Sequence, residues 1–236
     1  MARHQLLNNI DHKALRMLTG RSAALGDGLM CALTFPAEFR SIQAHYPIVF
    51  RQSADTASFQ PLALFGFREG QNLFLDGERW DVCYVPMVIE RAPFLIGQSG
   101  GEAVIHIDMD SPRVSSSEGE PVFLPHGGST EYLDRINSLL LAIHQGVAGT
   151  PAFVEALVRL DLLESFVLDV ELGDGSQNRL VGFHTINEER LQALPGGELE
   201  ALAKSGHLLP IYMAIASLSN FRELIERQQR RHAAHA

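Results

Sequence analysis

Residues 46–97 form the part of the sequence that most constrains the fold. This stretch contains YPIVF, FQPLALFGF, QNLFLDG and YVPMVIERAPFLIG, together with the only tryptophan, Trp80. Aromatic and β-branched side chains favour strands and fill cores. The stretch is therefore predicted to form the central sheet and the core of the protein.

The apolar segments are predicted to pair as antiparallel hairpins, because the links between them are short and polar. The predicted pairs are 45–52 with 61–67, 94–98 with 103–108, and 165–172 with 179–186. A further strand is predicted at 72–75. The polar segment 111–120 contains three successive serines and is predicted to be a mobile loop or linker.

The second half of the chain shows helical spacing of its apolar residues. One helix is predicted to begin after Thr130 and to close at Gly146 and Gly149. A second is predicted to start at Thr150-Pro151, because proline suits the first helical position. The last helix is predicted from about residue 210 to about residue 230.

These patterns together predict an α+β fold in a single domain covering residues 1–236. The domain is predicted to be sheet-rich in 1–125 and helix-rich in 126–236, with a β-hairpin near 165–186. Its mainly antiparallel sheet would be built from hairpins and packed by helices from the C-terminal half.

Charge and cysteine usage restrict the class of protein. The net charge is −9, which disfavours nucleic-acid binding unless a local basic patch overrides it. No apolar run is long enough to span a membrane, and the N-terminus lacks a secretory signal. A cytoplasmic protein without membrane insertion is therefore predicted. Cys31 and Cys83 lie in apolar segments and are predicted to be buried thiols, although the sequence leaves a disulfide between them open.

One motif could carry metal chemistry. His106 and Asp108 lie two residues apart in a predicted strand, so both side chains face the same side. With His184 as a third ligand, or His126 or His144 in its place, the set would suit Fe(II) in an oxygenase using 2-oxoglutarate. The chain has ten histidines, so one such pair arises readily by chance and a polar strand face is favoured. No catalytic or cofactor-binding residue is predicted elsewhere.

Six segments spread over nearly the whole chain carry a family signature. They are HYPIVFR (45–51), FQPLALFGF (59–67), NLFLDGERWD (72–81), YVPMVIERAPF (84–94), LVGFHTINEERLQAL (180–194) and LAKSGHLLPIYMAIASLSNFRELIER (202–227). Together they resemble the bacterial SapC family. The chain departs from the family's usual LFD-type sequence before the long helix, where it reads VFLPHGG (122–128).

The resemblance implies a bacterial protein linked to surface-layer, peptide or nutrient transport, in gene clusters with TonB-dependent receptors. The expected partner is a protein, a small molecule or a peptide, such as a halogenase-like flavoprotein or a transport component. No cofactor is expected. The leading hypothesis is a cytoplasmic accessory or binding protein whose cleft lies between the 46–97 sheet and the later helices. The alternatives are the Fe(II) oxygenase and a homo-oligomer that associates through its C-terminal helix.

Overall fold

The computed structural model describes residues 3–53, 58–99, 102–171 and 177–233. Antiparallel strands and several helices confirm the predicted α+β class. The chain divides into two compact units. Unit 1 contains Met1–Gly28, Leu75–Asp81 and Met87–Gln145, and unit 2 contains Leu29–Phe74, Val82–Pro86 and Gly146–Ala236. A single domain over 1–236 stays a prediction.

Unit 1 contains three small antiparallel sheets. The first has the order β1-β9-β8, formed by His4–Leu6, Glu102–Asp108 and Phe94–Ser99, and it confirms the predicted hairpin of β8 and β9. The second has the order β10-β2-β11, formed by Val114–Ser115, Arg16–Met17 and Glu120–Pro121. The third pairs β6, Leu75–Asp76, with β7, Arg79–Trp80, so the strand predicted at 72–75 lies later in the chain. A short helix, α2, covers Met87–Glu90.

The core of unit 1 joins these sheets to the first part of a long helix, α3, which spans Glu131–Arg159. Its buried members are apolar side chains of β2, β8, β9 and α3 and of the adjoining loops. They are Leu15, Met17, Phe94, Ile107, Val122, Leu133, Ile136 and Leu140. The recurrence of leucine and isoleucine along α3 is the helical spacing that predicted a buried face.

The polar segment 111–120 does not fit the predicted linker. Its strands β10 and β11 both pair with β2, so that Val114 and Glu120 each lie opposite Met17. The Arg16 side chain donates a hydrogen bond to the Gly119 carbonyl at 2.6 Å. Ser116 and Ser117 are exposed and Ser115 is half-buried, but the backbone around them is held by pairing with the two-residue strand β2, which sequence periodicity cannot reveal.

Unit 2 is built on a five-stranded antiparallel sheet with the order β12-β13-β4-β5-β3. Its strands are Leu163–Glu171, Gln177–Ile186, Ile48–Gln52, Phe59–Leu64 and Cys31–Leu33. Two predicted hairpins are confirmed, because Phe50 pairs with Pro61 and Phe166 pairs with Phe183. The turn between β12 and β13 lies outside the described residues.

The helices of unit 2 are short apart from the second part of α3. They are α1 Phe39–Ile42, α4 Glu188–Gln192, α5 Gly196–Lys204, α6 Leu208–Ser217 and α7 Asn220–Ala233. Asn187 caps α4, because its side chain accepts a hydrogen bond from the Arg190 backbone N–H at 2.8 Å.

An aromatic cluster fills the core of unit 2. Tyr46 stacks edge-on against Phe65 and Phe74, with ring centroids 5.2 and 4.8 Å away. Phe153 of α3 contacts Phe39 in the same way at 5.9 Å. Edge-to-face contacts of this kind add to the area burial of the rings. The aromatic part of 46–97 therefore supplies core residues as predicted, while Trp80 and Phe94 of the same stretch belong to unit 1.

The two helices predicted over residues 130–160 are one continuous helix, α3. Gly146 does not end α3. A Cβ atom at this position would lie 2.1 Å from the Phe35 ring, so the glycine lets the helix pack closely against Phe35. Pro151 lies inside the helix, where proline normally breaks the pattern. Burial of Phe153, Val154 and Leu157 after the proline stabilises the continued helix, since packing usually outweighs propensity.

The helix predicted over 210–230 is two helices, α6 and α7. At the break, the buried Ser217 hydroxyl donates to the Ala214 carbonyl and accepts from the Ile48 backbone N–H at 2.8 Å. The Asn220 side chain donates to the Gln43 carbonyl at 2.8 Å. Polar anchors to β4 and to the residue after α1 therefore interrupt the helical pattern.

The arginines of α7 make contacts within unit 2. Arg222 and Arg227 pair with Glu226 and Glu223 at 3.2 and 2.9 Å. The Arg227 guanidinium also lies over the Phe74 ring at 4.7 Å, and Arg231 donates to the Asn72 carbonyl. These contacts dock α7 on its own unit.

His207 makes the stability of unit 2 dependent on pH. It precedes α6 and contacts the Phe153 ring edge-on at 5.6 Å, and burial lowers the pKa of its imidazole. At acidic pH the unfolded chain therefore binds more protons at this imidazole than the folded chain does. The contribution of His207 to stability is complete above the ordinary histidine pKa of about 6.5 and is lost as pH falls through the lowered pKa of the folded state.

Urea unfolding at about pH 7.5 and about pH 5.5 tests this dependence. Between these two pH values, His207→Gln is expected to lose less free energy of unfolding than the wild type. His144→Gln, at an exposed position on α3, should lose as much as the wild type; equal losses in all three proteins would contradict the assignment.

Candidate functional site

A cavity of about 630 Å³ lies in unit 1. Its walls come from the segment after β2, from α2 and the residues that follow it, from 113–120 and from the first turns of α3. The lining residues are Leu18, Thr19, Arg21, Glu90, Ala92, Arg113, Glu120, Glu131, Tyr132 and Arg135. Six of these ten side chains carry a formal charge, three of each sign. The volume is in the range of sites that hold a small molecule.

Arg113 forms the deep wall of this cavity. Its guanidinium donates to a carboxylate oxygen of Asp27 at 2.7 Å, and only 4% and 3% of the two side chains are exposed. The same guanidinium donates to the carbonyls of Leu18 and Gly20 at 3.1 and 2.9 Å. A buried charge needs such a complete set of partners. Arg113 therefore fixes the segment after β2 and shapes the cavity.

Arg21 lies beside this pair. Its guanidinium is 3.6 Å from the second oxygen of Asp27, with 18% of the side chain exposed. Burial lowers the pKa of Arg21, the Asp27 charge opposes this, and the Arg113 charge adds to it. Two guanidinium groups thus share one buried carboxylate, which leaves one positive charge in excess. Within the described residues, the Arg21 side chain makes no hydrogen bond.

Tyr132, on the first turn of α3, places its phenol in the same cavity. Burial raises the pKa of this phenol, while the charges of Arg135, Arg113 and Arg21 act in the opposite direction. The hydroxyl is therefore protonated at neutral pH and can donate a hydrogen bond. Over the parts of the chain that the structure describes, this hydroxyl has no hydrogen-bond partner.

The rim of the cavity has the opposite charge. Arg135 lies over the Tyr132 ring at 5.8 Å and pairs with Glu90 at 3.5 Å, so these two charges balance. Glu120 and Glu131 are exposed and form no ion pair with any described residue. The cavity is therefore positive at its base, around Arg21 and Arg113, and negative at its rim.

Comparison with protein-family models gives a match over residues 7–224, to the model described as SapC. The chain belongs to the SapC family. Comparison with curated proteins and with solved structures finds no significant match. The match covers nearly all of the chain, including every residue that lines the cavity.

The histidine and aspartate predicted as metal ligands of this SapC protein lie in β9. His106 pairs with Leu6 and Leu95, and Asp108 pairs with His4, in the β1-β9-β8 sheet of unit 1. The His106 ring packs on Gly97, and its Nε2 is buried without a hydrogen-bond partner among the described residues. Asp108 accepts a hydrogen bond from the Asp110 backbone N–H at 3.1 Å, as a turn-forming aspartate does.

The third predicted ligand, His184, lies in β13 of unit 2. It is opposite Phe50 and Ser165, and its ring meets Phe59 edge-on at 4.8 Å. His126 and His144, the substitutes, are exposed. Among the described residues, no group of three His, Cys, Asp or Glu side chains is arranged to hold a metal ion. The Fe(II) site stays a prediction that metal analysis of the purified protein can test.

The Arg91 guanidinium donates to the Phe94 carbonyl at 2.6 Å, and burial lowers its pKa. One expectation about the cysteines needs correction. Cys31 and Cys83 are free thiols, and Cys83 is exposed where burial was expected. Burial raises the pKa of the half-buried Cys31 thiol.

Sequence reasoning did not find the cavity. The expected cleft was placed between 46–97 and the later helices, and only Glu90 and Ala92 of the cavity residues fall in that stretch. Asp27 and Arg113 are 86 positions apart, so no local spacing indicates their pairing. The one available signal was a set of isolated arginines next to polar turns, which alone predicts only a solvated surface.

Across residues 3–53, 58–99, 102–171 and 177–233, no helix has both the length and the apolar character that a bilayer crossing requires.

Proposed function

We propose that this SapC protein is a cytoplasmic accessory or binding protein that holds a small polar or peptide ligand in the unit 1 cavity. It serves a surface-layer, peptide or nutrient-transport system and acts with a protein partner, such as a transport component or a halogenase-like flavoprotein. The family assignment supports the transport context, which the resemblance implied.

The cavity is the observation that carries the binding proposal. It has the volume of a small-molecule site, and its base holds an arginine and a tyrosine hydroxyl without hydrogen bonds to the described residues. Donors that line a cavity without a hydrogen bond to the described residues are available to a ligand that supplies acceptors.

Filling the cavity is expected to abolish ligand binding. Thr19 is exposed and lines the cavity, so Thr19→Trp adds a bulky ring there without removing a buried contact. The tagged full chain, purified gently from native cells, should carry a small molecule that mass spectrometry detects in the wild type and not in Thr19→Trp. A ligand present at 100 times its Kd would also stabilise the wild type by about 2.7 kcal/mol, seen as a rise in Tm.

The matched control is Ala203→Trp, at an exposed position of α5 that does not line the cavity. This variant should retain the co-purified ligand. The same ligand profile in Thr19→Trp and the wild type would remove the cavity from the function. Recovery of neither a ligand nor a protein partner with the wild type would count against a binding protein altogether.

A further inference from the structure

The base of the cavity has a built-in preference for an anion. Arg21 and Arg113 share the single carboxylate of Asp27, and the hydrogen-bond donors of Arg113 are used differently from those of Arg21 and Tyr132. Arg113 donates to Asp27 and to two carbonyls, whereas the hydroxyl of Tyr132 and the guanidinium of Arg21 donate to no described residue.

These unused donors match a carboxylate. A guanidinium presents parallel N–H groups that fit the two oxygens of a carboxylate, and a phenol can donate to the same group. Arg21 and Tyr132 both line the cavity. One carboxylate at the base would supply the acceptors that both donors lack and would neutralise the excess positive charge.

The rim is suited to a cation. Glu120 and Glu131 are exposed carboxylates that have no ion pair within the described residues, and the neighbouring Glu90 is already paired with Arg135. A ligand that fits both ends carries a negative group at one end and a positive group at the other. A volume of about 630 Å³ leaves room for a ligand of short-peptide size.

We infer that the cavity binds a short peptide by its free ends, with the C-terminal carboxylate on Arg21 and Tyr132 and the N-terminal ammonium facing Glu120 and Glu131. This inference names the ligand class of the binding site proposed above and rests on that function. Tyr132 is a binding residue here, and Arg113 positions Arg21 through their shared carboxylate.

Isothermal titration calorimetry of the full chain with three tripeptides tests the inference. The probes are trialanine, its C-terminal amide and its N-acetyl form. Blocking the carboxylate is expected to weaken binding about 10- to 100-fold, the effect of losing charge-assisted hydrogen bonds. Blocking the ammonium should weaken it about 2- to 5-fold, because the rim carboxylates are exposed.

Two variants separate recognition from folding. Tyr132→Phe removes a hydroxyl that has no partner among the described residues, so its Tm should equal that of the wild type while trialanine binds about tenfold more weakly. Tyr212→Phe removes the same group at an exposed position of α6 and should bind as the wild type does. The comparison of acid and amide uses the wild type alone, so it holds whether or not a variant folds.

The outcomes also distinguish this inference from the proposed function. Equal affinity for trialanine and its amide, or unchanged trialanine affinity in Tyr132→Phe, overturns the carboxylate inference. Failure of trialanine to bind a wild-type protein whose co-purified ligand is lost in Thr19→Trp also overturns it, and leaves the binding function in place. If the wild type neither binds trialanine nor carries a co-purified ligand, the two proposals are overturned together.

Discussion

Replacing Arg113 with methionine is expected to lower the free energy of unfolding of unit 1 by about 3–5 kcal/mol, the usual cost of breaking a buried ion pair. Methionine fills part of the space but leaves the Asp27 carboxylate buried without its closest ion-pair partner, and the Arg21 guanidinium is 3.6 Å away. The carbonyls of Leu18 and Gly20 also lose their donor.

Urea unfolding followed by tryptophan fluorescence measures this effect in the right place, because the only tryptophan, Trp80, lies buried in unit 1. Arg79→Met is the matched control, since its pair with Asp81 is exposed on both sides and should change stability by no more than about 0.5 kcal/mol. Arg113→Lys should fall between the two, because lysine keeps the charge and loses the planar fork. Equal midpoints for Arg113→Met and Arg79→Met would show that the pair does not stabilise the unit.

Phe153→Ala is expected to destabilise unit 2 by about 3–5 kcal/mol, the range for removing a buried phenylalanine ring. The ring is fully buried and contacts Phe39, Phe50 and His207 with centroids 5.9, 6.5 and 5.6 Å away. Three elements would therefore border the resulting cavity, and they cannot all close in at once. Phe153→Leu should cost less, because it retains most of the side-chain volume.

Far-ultraviolet circular dichroism during urea unfolding reports this change. Val158→Ala, five positions further along α3 and 54% exposed, keeps the same helix and removes only surface atoms. It should stay within about 0.5 kcal/mol of the wild type. A loss in Phe153→Ala no larger than in Val158→Ala would mean that the aromatic cluster relaxes around the gap.

Local patterns in the sequence predicted the elements that depend on local physics. The hairpins of β4 with β5 and of β8 with β9 follow from alternating apolar residues and short links. The Asn187 cap follows from the hydrogen bond that its side chain makes three residues ahead. Each of these features is settled within a few residues of chain, so one sequence suffices to find it.

Features that depend on distant partners were missed. Gly146 has the pattern of a helix end, and only the ring of Phe35 against it explains why the helix continues. Ser217 fits a helix interior, and its hydrogen bond to Ile48 accounts for the break that follows. The cavity depends on Arg113 meeting Asp27, which no spacing encodes. The site therefore became visible only in three dimensions.

The interleaved composition of the two units has a consequence for synthesis on the ribosome. Residues 29–74 emerge early, yet strand β4 must wait for its neighbour β13. The last segment of unit 1 ends at Gln145, before the last segment of unit 2 has been synthesised. Vectorial translation therefore completes the chain segments of unit 1 while the five-stranded sheet of unit 2 still lacks β12 and β13.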